Sequence, residues 1–300
     1  MSSQSFLERT FKLKANKTDV KTEIIGGLTT FMTMAYILMV NPQILSSTGM
    51  DYGAVFTATA LSAAVGTLLM AILANYPYAL APGMGLNAFF VTVVAGMGHG
   101  WDFALTAVLL EGIIFIVLSL VGVREKIFDS IPQTLKKAVS VGIGFFIATI
   151  GLSNAGIINN EGATLLQLGD LTASAPLLAL IGLLLTGILL AHNVKGALLI
   201  GIVVTTVIGI PMGVTPTPEA VVSLPPSLAP TFFKFDFSNI FSWDMVVILI
   251  SFLFVDLFDT LGTLIGVASK TDMLDENGQL PNGRQALLAD SLATVFGAFT

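Results

Sequence analysis

The chain has 300 residues, of which 54% are hydrophobic and 11% are charged, and its formal net charge is −6. A soluble domain carries about 25% charged residues, so this composition indicates a membrane protein. The sequence contains no Cys, which excludes disulfides and thiolate metal sites. His99 and His192 stand alone near predicted helix ends, so no metal centre is predicted.

Apolar runs of about 20 residues recur along the whole chain, and this length suffices to cross the hydrocarbon layer. Backbone groups in lipid must pair internally, and the runs are continuous rather than alternating, so they predict an all-α polytopic membrane protein. A polar segment, 1–21, precedes the first run and is predicted as a cytoplasmic tail rather than a cleaved signal peptide. Nine hydrophobic segments follow, at 22–45, 53–75, 79–97, 102–122, 135–153, 175–192, 195–211, 243–267 and 284–300.

The distribution of basic residues predicts the orientation of the chain. With a cytoplasmic N-terminus, twelve Lys and Arg residues fall on the inside, and only Lys234 falls outside. This count treats Arg124 and Arg284 as cations of inside loops. Cytoplasmic loops carry an excess of Lys and Arg, so we expect a multi-pass protein of the plasma or inner membrane with its N-terminus in the cytoplasm.

The stretch 211–242 interrupts the helical pattern. Six of the 12 prolines lie in 211–230, a composition that resists a continuous helix and predicts an outside linker between two halves. Seven segments precede the linker and two follow it. An odd number of helices per half places a second copy upside down, which is the inverted-repeat plan of many transporters. The last run is short, so we expect a chain cut early in its second repeat.

Two acids, Asp256 and Asp259, lie inside the apolar run 243–267. A carboxylate within a lipid-spanning helix costs about a few kcal/mol or more and usually serves function. The i, i+3 spacing places both on one helix face. We expect them to accept hydrogen bonds from a polar solute and to exchange a proton. The alternative is a structural acid that bonds Thr or backbone on a neighbouring helix.

The third segment is irregular where Pro82, Gly83 and Gly85 discourage a helix. We expect the helix to resume at Leu86 or Asn87, exposing free backbone N–H groups suited to a carbonyl or an anion. The alternative is a Pro-Gly kink used only for packing.

Two further acids, Glu111 and Asp290, also lie within apolar segments. Each is predicted either as a partner of the site or proton relay, or as a helix–helix hydrogen bond. A polar stripe in the first segment is predicted to make interhelical contacts; it comprises Thr29, Thr30, Thr33, Tyr36 and Asn41.

Several functional classes lack their sequence signatures. No GxxxxGK[ST], HExxH or GxSxG motif occurs, so ATP-driven pumping and these hydrolytic activities are unsupported. No long basic stripe indicates nucleic acid binding. An intramembrane aspartyl protease places its acids on two helices, whereas here both share one.

Three motifs resemble those of the azaguanine-type purine permeases, in the nucleobase–cation symporter-2 (nucleobase–ascorbate) superfamily. They are TEIIGGLTTFMTMAYIL at 22–38 followed by Asn41-Pro42, PGMGLNA at 82–88, and VDLFDTLGTL at 255–264. The resemblance runs from about residue 20 to 300 and implies a seven-plus-seven inverted repeat with core and gate domains. It implies further membrane segments after Thr300.

The resemblance divides the chain into parts: a tail at 1–21, a first core part at 22–122, a gate part at 123–211, an outside linker at 212–242 and the start of a second repeat at 243–300. It implies proton symport of guanine or hypoxanthine, with the proton as coupling ion and no other cofactor. An adenine-specific permease, a channel-like or anion transporter of the same fold, and a non-transporting fragment are the alternatives.

The predicted partners are a purine nucleobase and the lipid bilayer; a homodimer is compatible with the sequence, and no nucleic acid is predicted. The predicted substrate-binding residues are Gly85, Leu86, Asn87, Ala88, Asp256, Asp259 and Thr260. The predicted proton-coupling residues are Asp256, Asp259, Asp290 and Glu111.

Overall fold

The computed structural model describes residues 6–159, 166–217, 222–271, 273–275 and 280–300. Almost all regular structure in these ranges is helical. The helices are α1 (Phe6–Phe11), α2 (Val20–Met34), α3 (Ile37–Ser46), α4 (Tyr52–Leu69), α5 (Met84–Val91), α6 (Trp101–Leu120), α7 (Val123–Ser130), α8 (Gln133–Asn154), α9 (Ser174–Ala191), α10 (Ala197–Gly209), α11 (Trp243–Lys270) and α12 (Gly283–Phe299). Helices α4 and α5 continue into π-helical turns, Met70–Ala74 and Thr92–Gly96. Strands β1 (Ile158–Asn159) and β2 (Gln167–Leu168) form an antiparallel pair.

Five helical segments among the described residues are long and apolar enough to cross a membrane. They are Val20–Ser46, Tyr52–Ala74, Trp101–Leu120, Ser174–Ala191 and Trp243–Lys270. Shorter apolar helices cover Met84–Gly96, Val141–Asn154 and Ala197–Gly209. The prediction of a helical, polytopic membrane protein is therefore confirmed, while nine crossings and the inverted repeat stay predictions.

The chain forms two compact units. The first comprises Met1–Glu23, Ile37–Ile143 and Pro225–Thr300, and the second comprises Ile24–Tyr36 and Gly144–Leu224. The first unit contains every residue predicted for the site. The predicted core and gate boundaries stay predictions.

In the first unit, α11 and α12 pack against α6. Phe252 of α11 is fully buried in an apolar cluster with Phe103 of α6. A Cβ atom on Gly112 of α6 would lie 2.8 Å from Val295 Cγ2 of α12, so only glycine permits this close approach of the two helices. In the second unit, α9 and α10 approach in the same way, because Gly182 faces Thr205.

Residues 75–83, between the π-helical turn after α4 and the start of α5, form no regular secondary structure. Pro77 and Pro82 in this stretch lack N–H donors and resist helix formation. Thr67 of α4 fixes this stretch. Its Oγ1 accepts a hydrogen bond from the Leu80 N–H at 3.0 Å. Helix α5 then begins at Met84, two residues before the earlier of the two predicted restarts.

Candidate functional site

The start of α5 presents backbone donors without a side-chain cap. Gly83 is the N-cap residue and makes no side-chain cap hydrogen bond, and the first bond of the helix is from the Asn87 N–H to the Gly83 carbonyl at 3.1 Å. The N–H groups of the first turn therefore have no partner within the helix. These donors belong to Met84, Gly85 and Leu86, and no acceptor for them is found in the described part of the chain.

The Asp259 carboxylate lies directly beside this helix start. A Cβ atom built on Gly83 would collide with Asp259 Oδ2, and one on Gly85 would lie 3.8 Å from Val255 Cγ1 of the same helix α11. The Asp259 side chain is only partly buried, and no hydrogen bond to its carboxylate is recorded among the described residues. Acceptor oxygens and backbone donors thus form one adjacent edge, where the positive end of a helix favours negative charge.

The side chain of Asn87 forms its hydrogen bonds with α3 and with its own helix. Its buried side-chain amide donates to Asn41 Oδ1 at 2.6 Å, and Asn41 Nδ2 donates to Thr59 Oγ1 at 2.6 Å. This chain of bonds ties α5 to α3 and α4. The interhelical contact predicted for Asn41 is present, whereas the substrate contact predicted for Asn87 stays a prediction. Ala88 follows on α5 and is partly buried.

A buried arginine, Arg124, forms ion pairs with two of the other predicted acids, Asp256 and Asp290. The Arg124 side chain is 0% exposed, and its Nη2 lies 2.9 Å from Asp290 Oδ2 and 3.2 Å from Asp256 Oδ2. Its Nη1 donates to Ser291 Oγ at 2.6 Å and to the Leu287 carbonyl at 3.0 Å.

Thr260 and Phe115 complete the surroundings of this cluster. Thr260 Oγ1 lies 3.1 Å from Asp290 Oδ2 and 3.3 Å from Asp256 Oδ1. The Phe115 ring centroid is 3.9 Å from the guanidinium carbon of Arg124, a cation–π contact. Carboxylate, hydroxyl, carbonyl and ring therefore surround one guanidinium.

Glu111 of α6 adds a third carboxyl group to the cluster. It is 1% exposed, and its charge interacts with Asp256, Asp290 and Arg124. Its Oε1 atom has no hydrogen-bond partner within the described ranges. Three acids thus face one permanent cation, and an uncompensated buried carboxylate is costly. With all three acids ionised, the cluster has a net negative charge that an added proton would reduce.

The sequence analysis counts Arg124 as a cation of an inside loop, whereas the structure buries its side chain. The inside loop predicted at 123–134 contains α7, and Arg124 in the first turn of that helix is buried against α11 and α12 rather than solvated. The available signal was the presence of several acids in the apolar runs 102–122 and 243–267, which contain no Lys or Arg. Arg284, the other arginine assigned to a loop, is exposed and donates to the carbonyls of Ser119 and Leu120.

Comparison with known proteins supplies the family. A model described as "Permease family" matches residues 21–300. A Methanocaldococcus jannaschii protein is 51% identical over 98% of this chain and 67% of its own length. The guanine/hypoxanthine permease PbuG of Bacillus subtilis is 47% identical over 94% of this chain and 66% of its length. The adenine permease AdeP of Escherichia coli is 43% identical over 99% and 67%.

The chain spans about two thirds of the length of these relatives. The predicted resemblance is confirmed, and it separates the chain from enzymes, because the family consists of transporters. The chain is a multi-pass membrane protein that belongs to this permease family, the nucleobase–cation symporter-2 family.

Proposed function

We propose that this protein is a secondary-active purine nucleobase permease that imports guanine or hypoxanthine together with a proton. The observation that carries the proposal is the Asp259 carboxylate beside the unpaired N–H groups at the start of α5. The names of relatives support a purine substrate, since PbuG is a guanine/hypoxanthine permease and AdeP an adenine permease. An adenine-specific permease is the alternative within the same chemistry.

Recognition follows from donor and acceptor chemistry. A 6-oxopurine carries an N–H donor next to its carbonyl on one edge of the ring. The carboxylate of Asp259 accepts from that N–H, while the backbone donors of Gly85 and Leu86 bind the carbonyl. The two protein groups are adjacent, so a single edge of the purine satisfies both. A ligand that lacks these groups would leave buried polar groups of the site unpaired. The free-energy cost of those unpaired groups makes the site selective.

Proton coupling is assigned to the cluster around Arg124. Glu111, Asp256 and Asp290 carry up to three negative charges, against the single charge of the guanidinium. Like charges held close together in a poorly solvated place favour protonation of one member. A proton that arrives with the substrate therefore compensates the cluster, and Asp259 joins it through its proximity to Asp256 and Asp290.

The proposed transport movement is an elevator-like motion of a core against a gate within a seven-plus-seven inverted repeat. The two compact units support such a division, and the cation count supports a cytoplasmic N-terminus. A discontinuous helix is typical of substrate sites in this kind of transporter. The sequence is also compatible with a homodimer.

The test uses the protein expressed from its complete coding sequence and reconstituted in proteoliposomes. We expect an inward proton gradient to drive accumulation of radiolabelled guanine, unlabelled hypoxanthine to compete, and a protonophore to abolish the accumulation. Guanine addition should also raise the external pH. If adenine competes and hypoxanthine does not, the substrate is adenine rather than guanine or hypoxanthine. Uptake without proton movement would instead indicate a uniporter or channel of the same fold, and no purine uptake or binding would refute the proposal.

A further inference from the structure

The burial of Arg124 is unusual for a charged residue at the start of a helix. It lies in the first turn of α7, yet its guanidinium is fully buried and reaches both α11 and α12. Its two terminal nitrogens contact five acceptors: Asp256, Thr260, Leu287, Asp290 and Ser291. A fork of this kind is a preorganised partner for carboxylates.

The charged groups that face this guanidinium come from every helix packed around it in the described part of the chain. They are Glu111 from α6, Asp256 from α11 and Asp290 from α12, and Asp259 in turn faces the latter two. Arginine keeps its charge throughout the physiological pH range, so it is a constant in a cluster whose other members titrate.

We propose that Arg124 is the positioning residue of the proton-coupling site, and that its fixed charge, acting on the Asp256 and Asp290 carboxylates that it contacts, sets the pH dependence of transport. The inference rests on the proposed function, because it concerns the proton that accompanies the substrate. Arg124 acts through the two carboxylates, and no hydrogen bond from it to the α5 edge assigned to the purine is recorded in the part of the chain that the structure describes.

The physical basis is the effect of a nearby cation on a carboxylate. An opposite charge within about 4–6 Å moves the titration of a carboxyl group toward acid by about one to three pH units. Removing the guanidinium should therefore move the pH profile of purine exchange to alkaline pH. Lysine at this position preserves the charge but loses the fork of hydrogen bonds.

These two properties allow charge to be separated from structure. Four variants are made in the protein expressed from its complete coding sequence: Arg124→Gln, Arg124→Lys, the double variant Arg124→Gln with Asp290→Asn, and Arg284→Gln. The last is a matched control, since Arg284 bonds the backbone carbonyls of Ser119 and Leu120 and the structure records no acid paired with it among the described residues. Purine exchange is measured at equal pH on both sides of the vesicle, together with thermal stability.

The expected result is a pH profile that follows the charge. Arg124→Gln should shift the profile to alkaline pH by about one unit or more, while Arg124→Lys and Arg284→Gln stay within about 0.3 unit of the wild type. Stability should fall in both Arg124 variants, because both lose hydrogen bonds. The double variant restores the net charge of the cluster, so it is used if Arg124→Gln does not accumulate. The acids that remain have lost their cationic neighbour, so its profile should shift in the same direction.

Two results would overturn the inference. One is an unchanged profile in Arg124→Gln or in the double variant; the other is an equal shift in Arg124→Lys and Arg124→Gln. Failure of both glutamine variants to accumulate, with Arg124→Lys keeping the wild-type profile, would support the charge requirement. If the wild type exchanges no purine, the proposed function fails. If the wild type exchanges purine with pH dependence and the variants do not alter it, only the role of Arg124 fails.

Discussion

Asp256 and Asp259 lie three residues apart on α11, and replacing each by asparagine should produce different defects. Asp256 has a side chain only 5% exposed, and it lies 3.2 Å from Arg124 Nη2. Asp259 is partly exposed beside the start of α5, and no hydrogen bond to its carboxylate is recorded in the described ranges. Asp256→Asn should therefore reduce stability, whereas Asp259→Asn should reduce substrate binding.

The magnitudes follow from these contacts. Truncating one partner of a buried ion pair costs about 3–5 kcal/mol. Asparagine retains one acceptor oxygen, and Arg124 keeps Asp290 at 2.9 Å, so we expect about 1–3 kcal/mol for Asp256→Asn. Asp259→Asn should change the free energy of unfolding by less than about 0.5 kcal/mol. Loss of a hydrogen bond from the purine to a charged acceptor costs about 1.5–3 kcal/mol, which weakens binding by about 10- to 100-fold.

The assay is thermal unfolding in the same membrane mimetic, without and with purine, combined with equilibrium binding of a radiolabelled purine. Asp256→Asn should lower the melting temperature by several degrees, since about 1 kcal/mol corresponds to about 2–4 °C for chains of similar size. Asp259→Asn should melt as the wild type does but lose the stabilisation by purine. Equal loss of stability in both variants, or wild-type affinity in Asp259→Asn, would refute the reasoning.

Two further substitutions test the elements around this pair. Gly83→Ala places a methyl group against Asp259 Oδ2, and the resulting rotation of that carboxylate should weaken purine binding by about tenfold in binding isotherms. Gly96→Ala is the control, because its Cβ would lie 3.5 Å from Thr92 Cγ2, an ordinary contact, and this variant should bind purine normally. Asn41→Ala leaves the Asn87 amide without its 2.6 Å acceptor and should lower stability by about 1 kcal/mol in thermal unfolding; an unchanged melting temperature would show that this interhelical bond contributes little.

The membrane class and the broken third segment could be predicted because each depends on local chemistry. Hydrophobic runs specify helices in lipid, and Pro82 with Gly83 disfavours a helix at this point through local backbone chemistry. The position of the restart was two or more residues late, because Met84 and Gly85 are helical once Gly83 serves as the N-cap. Glycine ranks well at that position, whereas the prediction weighted only its cost inside a helix.

The centre of the acid cluster could not be predicted, because it depends on which helices pack together. Arg124 follows the end of an apolar run and is followed by polar residues, a local pattern typical of a cytoplasmic loop. Its contact with Asp290 spans 166 residues of sequence, and no local period encodes that distance. The hydrogen bond from Asn87 to Asn41 could not be predicted for the same reason, since the two residues lie 46 positions apart.

The i, i+3 spacing on α11 explains how one helix supplies two environments. Three residues correspond to a rise of about 4.5 Å and a rotation about 60° short of a full turn, so the two carboxylates share a face but meet different neighbours. Asp256 meets a fixed cation, while Asp259 meets the backbone donors of α5, whose partial charge is weaker. The carboxylate of Asp256 is a poor acceptor for a solute, because it is buried and already accepts hydrogen bonds from Arg124 and Thr260. The acid without such a partner remains available to a ligand, and the charge state of its neighbour then acts on it across a single turn of helix.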